Sequence, residues 1–128
     1  MKHTLGQMKI MIVENDTEFR ENLATRLRRE GLSVFESDNL DEAHKFIIKN
    51  KLQTIVLGLS GFGRNSLSFM KNITTIVPDL KIILITRHNT IPLSIEAMNL
   101  GACAEVPVPV DIAVLIKTLR SADNRYRG

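Results

Sequence analysis

Residues able to do chemistry gather at four places along this 128-residue chain. Glu14, Asn15 and Asp16 follow one apolar run, Ser60 follows a second, Thr86 ends a third, and Val108, Pro109 and Asp111 follow a fourth. A carboxylate such as Asp16 could serve a hard divalent cation, which takes oxygen ligands. Asn15, Asp16 and Thr17 are also all helix-capping types, so capping is the expected task of Asp16. Ser60 precedes a loop with two glycines and reads as a turn residue. Thr86 is expected to bond a neighbouring backbone group. His3, His44 and His88 show no metal-ligand spacing. Cys103 has no base partner in view and is expected to be a small core residue, and a single cysteine excludes an internal disulfide.

The elements that must position these groups follow from apolar patterning. Residues 54–60, Thr-Ile-Val-Leu-Gly-Leu-Ser, form a β-branched run too short for a helix. Lacking polar alternation, it suits a strand covered on both faces at the centre of a parallel sheet. The carboxyl end of such a strand is where an open α/β sheet places its chemistry, and there the chain has Gly58, without a side chain. Further strands are predicted over 9–13, 32–36, 81–85 and 104–106. Helices are predicted from 17 to Gly31, after the capping run 37–39, over 66–76, over 91–100 and after Asp111. Leu40, Ala43, Ile47 and Ile48 form the expected inward stripe of the second helix. Five strands alternating with five helices call for an α/β fold, a doubly wound parallel sheet in the order 2-1-3-4-5. Its binding crevice lies where strands 1 and 3 diverge. The expected organisation is a leader at 1–7, one domain at 8–122 and a polar tail at 123–128.

Composition narrows the function classes. Lys and Arg number 17 against 14 Asp and Glu, a net charge of +3, with no Trp and one Tyr. Nucleic-acid binders carry a denser basic stripe with aromatics beside it, so direct nucleic-acid binding within these residues is not expected. No apolar run is long enough to span a bilayer, and the start lacks the apolar segment of a signal peptide. A cytoplasmic protein is the expectation.

Four segments in register resemble the receiver domains of two-component response regulators. They are Ile-Val-Glu-Asn-Asp at 12–16 with Phe19 and Arg20, the loop 59–67, the stretch 86–102 with Thr86, Pro92, Ala97, Met98, Gly101 and Ala102, and Val-Pro-Val-Pro-Val-Asp at 106–111. The resemblance implies a flavodoxin-like receiver fold and a signalling domain rather than an enzyme. In that family a histidine kinase passes a phosphoryl group to an aspartate ending strand 3. Magnesium is held there by that aspartate and two acids after strand 1, assisted by a lysine after strand 5 and a threonine or serine after strand 4. Such transfer depends on positioning and charge stabilisation.

This chain departs from the pattern at nearly every such position. The acceptor position is Gly58, the acidic pair is Glu14 and Asn15, the lysine position is Val108, and Thr86 alone is kept. The switch-aromatic position is Glu105. Two carboxylates and the ammonium that offsets them are lost together, which leaves Glu14, with Asp16 nearby, among neutral groups. The expected reading is an atypical receiver that is not phosphorylated, binds no magnesium and signals by protein contact. The contact, with a partner or a second copy, would use the face of helix 4, strand 5 and helix 5; contact with a histidine kinase would involve no phosphotransfer. Two alternatives stand beside it: a small-ligand sensor using the altered crevice, and the N-terminal regulatory domain of a longer transcription regulator.

Overall fold

The computed structural model describes residues 8–123. In chain order the elements are β1 (Lys9–Val13), α1 (Thr17–Arg29), β2 (Ser33–Ser37), α2 (Leu40–Asn50), β3 (Thr54–Gly58), α3 (Asn65–Ile76), β4 (Lys81–Thr86), α4 (Ile91–Asn99), β5 (Ala104–Pro107) and α5 (Ile112–Ala122). A single 3-10 turn at His88–Thr90 leads into α4. All strand pairs are parallel, in the order β2-β1-β3-β4-β5, the expected topology.

Apolar strands in the middle of the sheet feed two cores. Because successive strand residues point to opposite faces, Ile10, Ile12, Val56, Ile83 and Ile85 pack beneath α1 and α5. Met11, Val13, Ile55, Leu57, Ile82 and Leu84 pack on the other side, against α2, α3 and α4. All five residues of β3 are buried, as a strand covered on both faces requires.

Helix ends obey local chemistry. Asp16, Asn39 and Asp111 cap α1, α2 and α5, each accepting a backbone N–H three residues ahead. Gly101 takes φ +109° just beyond α4, a conformation in which a side chain would be strained. The bond between Val108 and Pro109 is cis.

Four expectations need correction. Cys103 is exposed rather than in the core; Ala102, its neighbour, fills the buried position as the chain turns into β5. Ile48 is exposed because the inward line of α2 is filled by Ala43 and Ile47, and Ile48 lies one helical step of about 100° round from Ile47. β2 begins one residue later than its apolar run, at Ser33, while Leu32 enters the core from the turn after α1. Asp123, assigned to the polar tail, is buried and closes α5 through bonds from its N–H to the carbonyls of Leu119 and Arg120. The leader at 1–7 and the tail at 124–128 lie outside the described residues.

Ile83, fully buried at the middle of β4, tests this layering. Ile83→Ala is expected to destabilise the domain by about 2–5 kcal/mol in urea unfolding, the usual cost of a core cavity. A loss well below that range would mean that β4 is not a central strand.

Candidate functional site

The crevice lies where β1 and β3 end side by side. Val13 pairs with Leu57, so Glu14, just past the end of β1, stands beside Gly58, the last residue of β3. Glu14 is 3% exposed. A Cβ placed on Gly58 would stand 2.0 Å from Glu14 Oε1, so the carboxylate occupies the volume where a side chain at position 58 would begin. Its other oxygen, Oε2, accepts the Asp16 N–H at 2.9 Å. The Asp16 carboxylate in turn accepts the Phe19 N–H at 3.1 Å and starts α1. The positive end of the α1 dipole therefore lies beside the buried Glu14 charge.

Asn15 makes a second closure of the same kind. Its Nδ2 donates to the Gly61 carbonyl at 3.1 Å, and a Cβ on Gly61 would lie 1.6 Å from Asn15 Oδ1. Two glycines in and after β3 thus admit two side chains from the β1–α1 junction. Arg20 supports the junction from below, donating from Nη1 to the Glu14 carbonyl at 2.9 Å and from Nε to Glu36 at 3.2 Å. Arg28 reaches the same Glu36 carboxylate at 3.2 Å.

At the other strand ends, Thr86 is half-buried, and its carbonyl accepts the Val108 N–H at 3.0 Å. The expected bond from the Thr86 side chain to a neighbouring backbone group does not form among the described residues. The Val108 side chain turns inward and packs against the core beneath α1 and α5. Glu105 is exposed on β5, and Ser60 is exposed in the loop after β3. His44 is half-buried on α2 and His88 exposed in the turn before α4; His3 lies outside the described residues.

The sequence pattern of the response regulator receiver domain matches residues 10–120. The chain belongs to that family. As a receiver it is a signalling domain and not an enzyme. The receiver is 26% identical over 118 residues to the transcriptional regulatory protein FixJ of Azorhizobium caulinodans, covering 92% of this chain and 56% of that protein. It is also 26% identical to the DNA-binding transcriptional regulator NtrC of Azospirillum brasilense, across 90% of this chain and 24% of that protein. The chain therefore spans about half or a quarter of these relatives' length. Among solved structures, a response regulator receiver domain protein from Clostridium thermocellum superposes with a TM-score of 0.84 at 21% identity, over 92% of this chain and 95% of that one. No helix among the described residues is long and apolar enough to cross a membrane.

The crevice can now be tested for the ion that the family implies. Magnesium demands near-octahedral oxygen donors. Glu14 is the one carboxylate inside the receiver's crevice; one of its oxygens is taken by the Asp16 N–H and the other lies over Gly58. Asp16 is turned to its cap, and the Asn15 amide is turned to Gly61. No cluster of three His, Cys, Asp or Glu side chains fit to hold a metal occurs among the described residues. The donor set does not fit the ion.

Three residues of the receiver escape sequence reasoning. Arg20 of α1 is buried although charged; its signal is Glu36 of β2, the acid it pairs with, which strand-pairing rules do not locate. Arg87 stacks over the Phe19 ring, its guanidinium carbon 5.2 Å from the ring centre, a cation–π contact without sequence signature. Arg64 binds Glu96 through two hydrogen bonds of 2.8 and 3.1 Å, joining the loop after β3 to α4.

Two predictions follow from this geometry. Gly58→Ala should cost about 1–3 kcal/mol, because the new methyl overpacks a bonded carboxylate, and should cost far less in a Glu14→Ala background. Urea unfolding of the four proteins in a double-mutant cycle reads the coupling; additivity within about 0.5 kcal/mol would show that Glu14 does not fill the space. The second concerns acid. Hydrogen bonds from Arg64 hold the Glu96 carboxyl below its ordinary range, so the link is complete above the unfolded carboxyl's pKa and is lost as pH falls through the lowered folded value. NMR titration should show the Arg64 Nη signals and the Glu96 carboxyl changing together, below the midpoint of an ordinary glutamate. A midpoint at the ordinary value would mean that the pair is not formed in solution.

Proposed function

We propose that this receiver domain signals by protein contact without accepting a phosphoryl group and without binding magnesium. The observation that carries the reading is the Glu14 carboxylate standing in the side-chain space of Gly58. A glycine offers no acceptor oxygen, and the space an acceptor and its metal would need is filled by a bonded side chain. Val108, at the lysine position, is half-buried and packs against the core beneath α1 and α5. Charge and volume agree: one carboxylate remains, and it is held by a backbone N–H at a helix start.

The contact surface is the face of α4, β5 and α5. Ile91, Ile95 and Met98 lie along one side of α4, with exposures of 56%, 57% and 39%. Their spacing, i, i+4 and i+7, makes a continuous apolar stripe. Val114 of α5 is also exposed, and Glu105 adds a charge on β5 where receivers have a switch aromatic. Large exposed apolar groups in a row mark surfaces for association. The partner is a protein or a second copy, and any contact with a histidine kinase passes no phosphoryl group. The relatives' names, transcriptional regulators of greater length, favour a regulatory role ahead of an output domain in a longer chain. A ligand inside the crevice itself finds little support, since Glu14 and Asn15 occupy it.

Incubation with acetyl phosphate and magnesium tests the reading by intact mass. No stoichiometric phosphoprotein is expected. Gly58→Asp should also stay unmodified, because its carboxylate would compete with Glu14 for one space and still lack a lysine. Rapid phosphorylation of either protein would overturn the proposal.

A further inference from the structure

Beside the filled crevice lies an open groove between α1 and the loop joining β5 to α5. Its volume is about 490 Å³, within the range of small-molecule sites. Phe19 and Leu23 of α1 form one apolar wall, and Val108 and Pro109 form the other. Arg26 and Arg87 also line it, and no carboxylate does.

Among the described residues, two cations on the groove are left without a carboxylate, as are Arg29 and Arg120 elsewhere on the surface, but Arg26 and Arg87 stand beside an apolar cavity. Arg20 and Arg28 share Glu36, and Arg64 is paired with Glu96. Arg26 and Arg87 form no ion pair among the described residues. Arg87 is also partly withdrawn from water and held on the Phe19 ring. A guanidinium is weakly hydrated, presents a planar fork of donors, and matches carboxylate or phosphate oxygens two at a time. An aromatic face that fixes Arg87 lowers the ordering cost of using it.

We propose that this groove binds a small organic anion, one carboxylate or phosphate group on a flat apolar body. The anionic group would meet Arg26 and Arg87, and the body would lie between Phe19 and the Val108–Pro109 wall. Asn22, also on the groove, supplies an amide for a further oxygen. The site adjoins the crevice through Val108, and it holds whether or not the domain accepts a phosphoryl group.

Titration of the full chain with benzoate and phenyl phosphate, followed by heteronuclear NMR, tests it. Both should bind in the millimolar range or tighter, with the largest shifts at Phe19, the Arg87 side chain, Val108 and Val110. Inorganic phosphate and benzyl alcohol, each carrying half of the required chemistry, should bind at least about tenfold more weakly, a difference of about 1.4 kcal/mol. Arg87→Gln and Arg26→Gln should each weaken benzoate binding while leaving the remaining backbone signals in place. Absence of groove shifts, shifts centred elsewhere, or equal binding of inorganic phosphate would each overturn the proposal. So would a glutamate-rich peptide that binds α1 more tightly than the two aromatic acids, which would make the groove a protein-docking surface.

Discussion

The contact between the Glu14 carboxylate and the empty side-chain space of Gly58 is the constraint on which the functional end of this domain depends. A buried carboxylate is costly unless it is hydrogen-bonded. Here the cost is offset by the Asp16 N–H and by the positive end of α1. The same Asp16 caps the helix, so the bond that settles the charge also sets where α1 begins. A side chain at position 58 would expel the carboxylate, and an expelled carboxylate would leave the Asp16 N–H without its acceptor.

Around that contact the charges are arranged in local, nearly closed sets. Arg20 ties the Glu14 carbonyl to Glu36, and Glu36 is ion-paired with both Arg20 and Arg28 at the β2 edge. Burial of Arg20 is tolerable because it donates to the Glu14 carbonyl and pairs with the Glu36 carboxylate, and the pairing fixes the first turns of α1 against β2. Asn15 adds a neutral version of the same logic, an amide bonded to Gly61 where a receiver's second acid would stand. At the crevice the Glu14 and Asn15 side chains are held by hydrogen bonds to backbone groups, which need no counter-ion.

The architecture was legible in the sequence because short β-branched runs and helix caps are local signals. The run at 9–13 is a strand with those bounds, the run at 54–60 holds the strand 54–58, and Asp16 and Asp111 cap α1 and α5 as their residue types require. Topology came from handedness rules acting on that alternation. That Gly58 has no side chain and Val108 no charge was equally plain, since these are matters of residue type. What the chain could not disclose is where the remaining side chains went. That Glu14 moves into the space of Gly58, and that Val108 joins the core, depends on the register of strands that are distant in sequence. Cys103 and Ile48 went the other way, to solvent, because a neighbouring residue had already filled the inward position.

These contacts bear on how such a domain could be switched. The loop after β3 is held at two points, by Asn15 at Gly61 and by Arg64 at Glu96, the second of which anchors it to α4. A ligand shifts an equilibrium only by its differential affinity for the two states. On the proposed reading no phosphoryl group supplies that difference at the crevice. The bias must then come from outside it, through whatever covers Ile91, Ile95 and Met98, or through the groove where Arg87 rests on Phe19. The two surfaces are joined through β4. Arg87 directly follows that strand, and a 3-10 turn carries the chain from there into α4. An event at the groove therefore has a short covalent path to the apolar face, and it does not pass through Gly58.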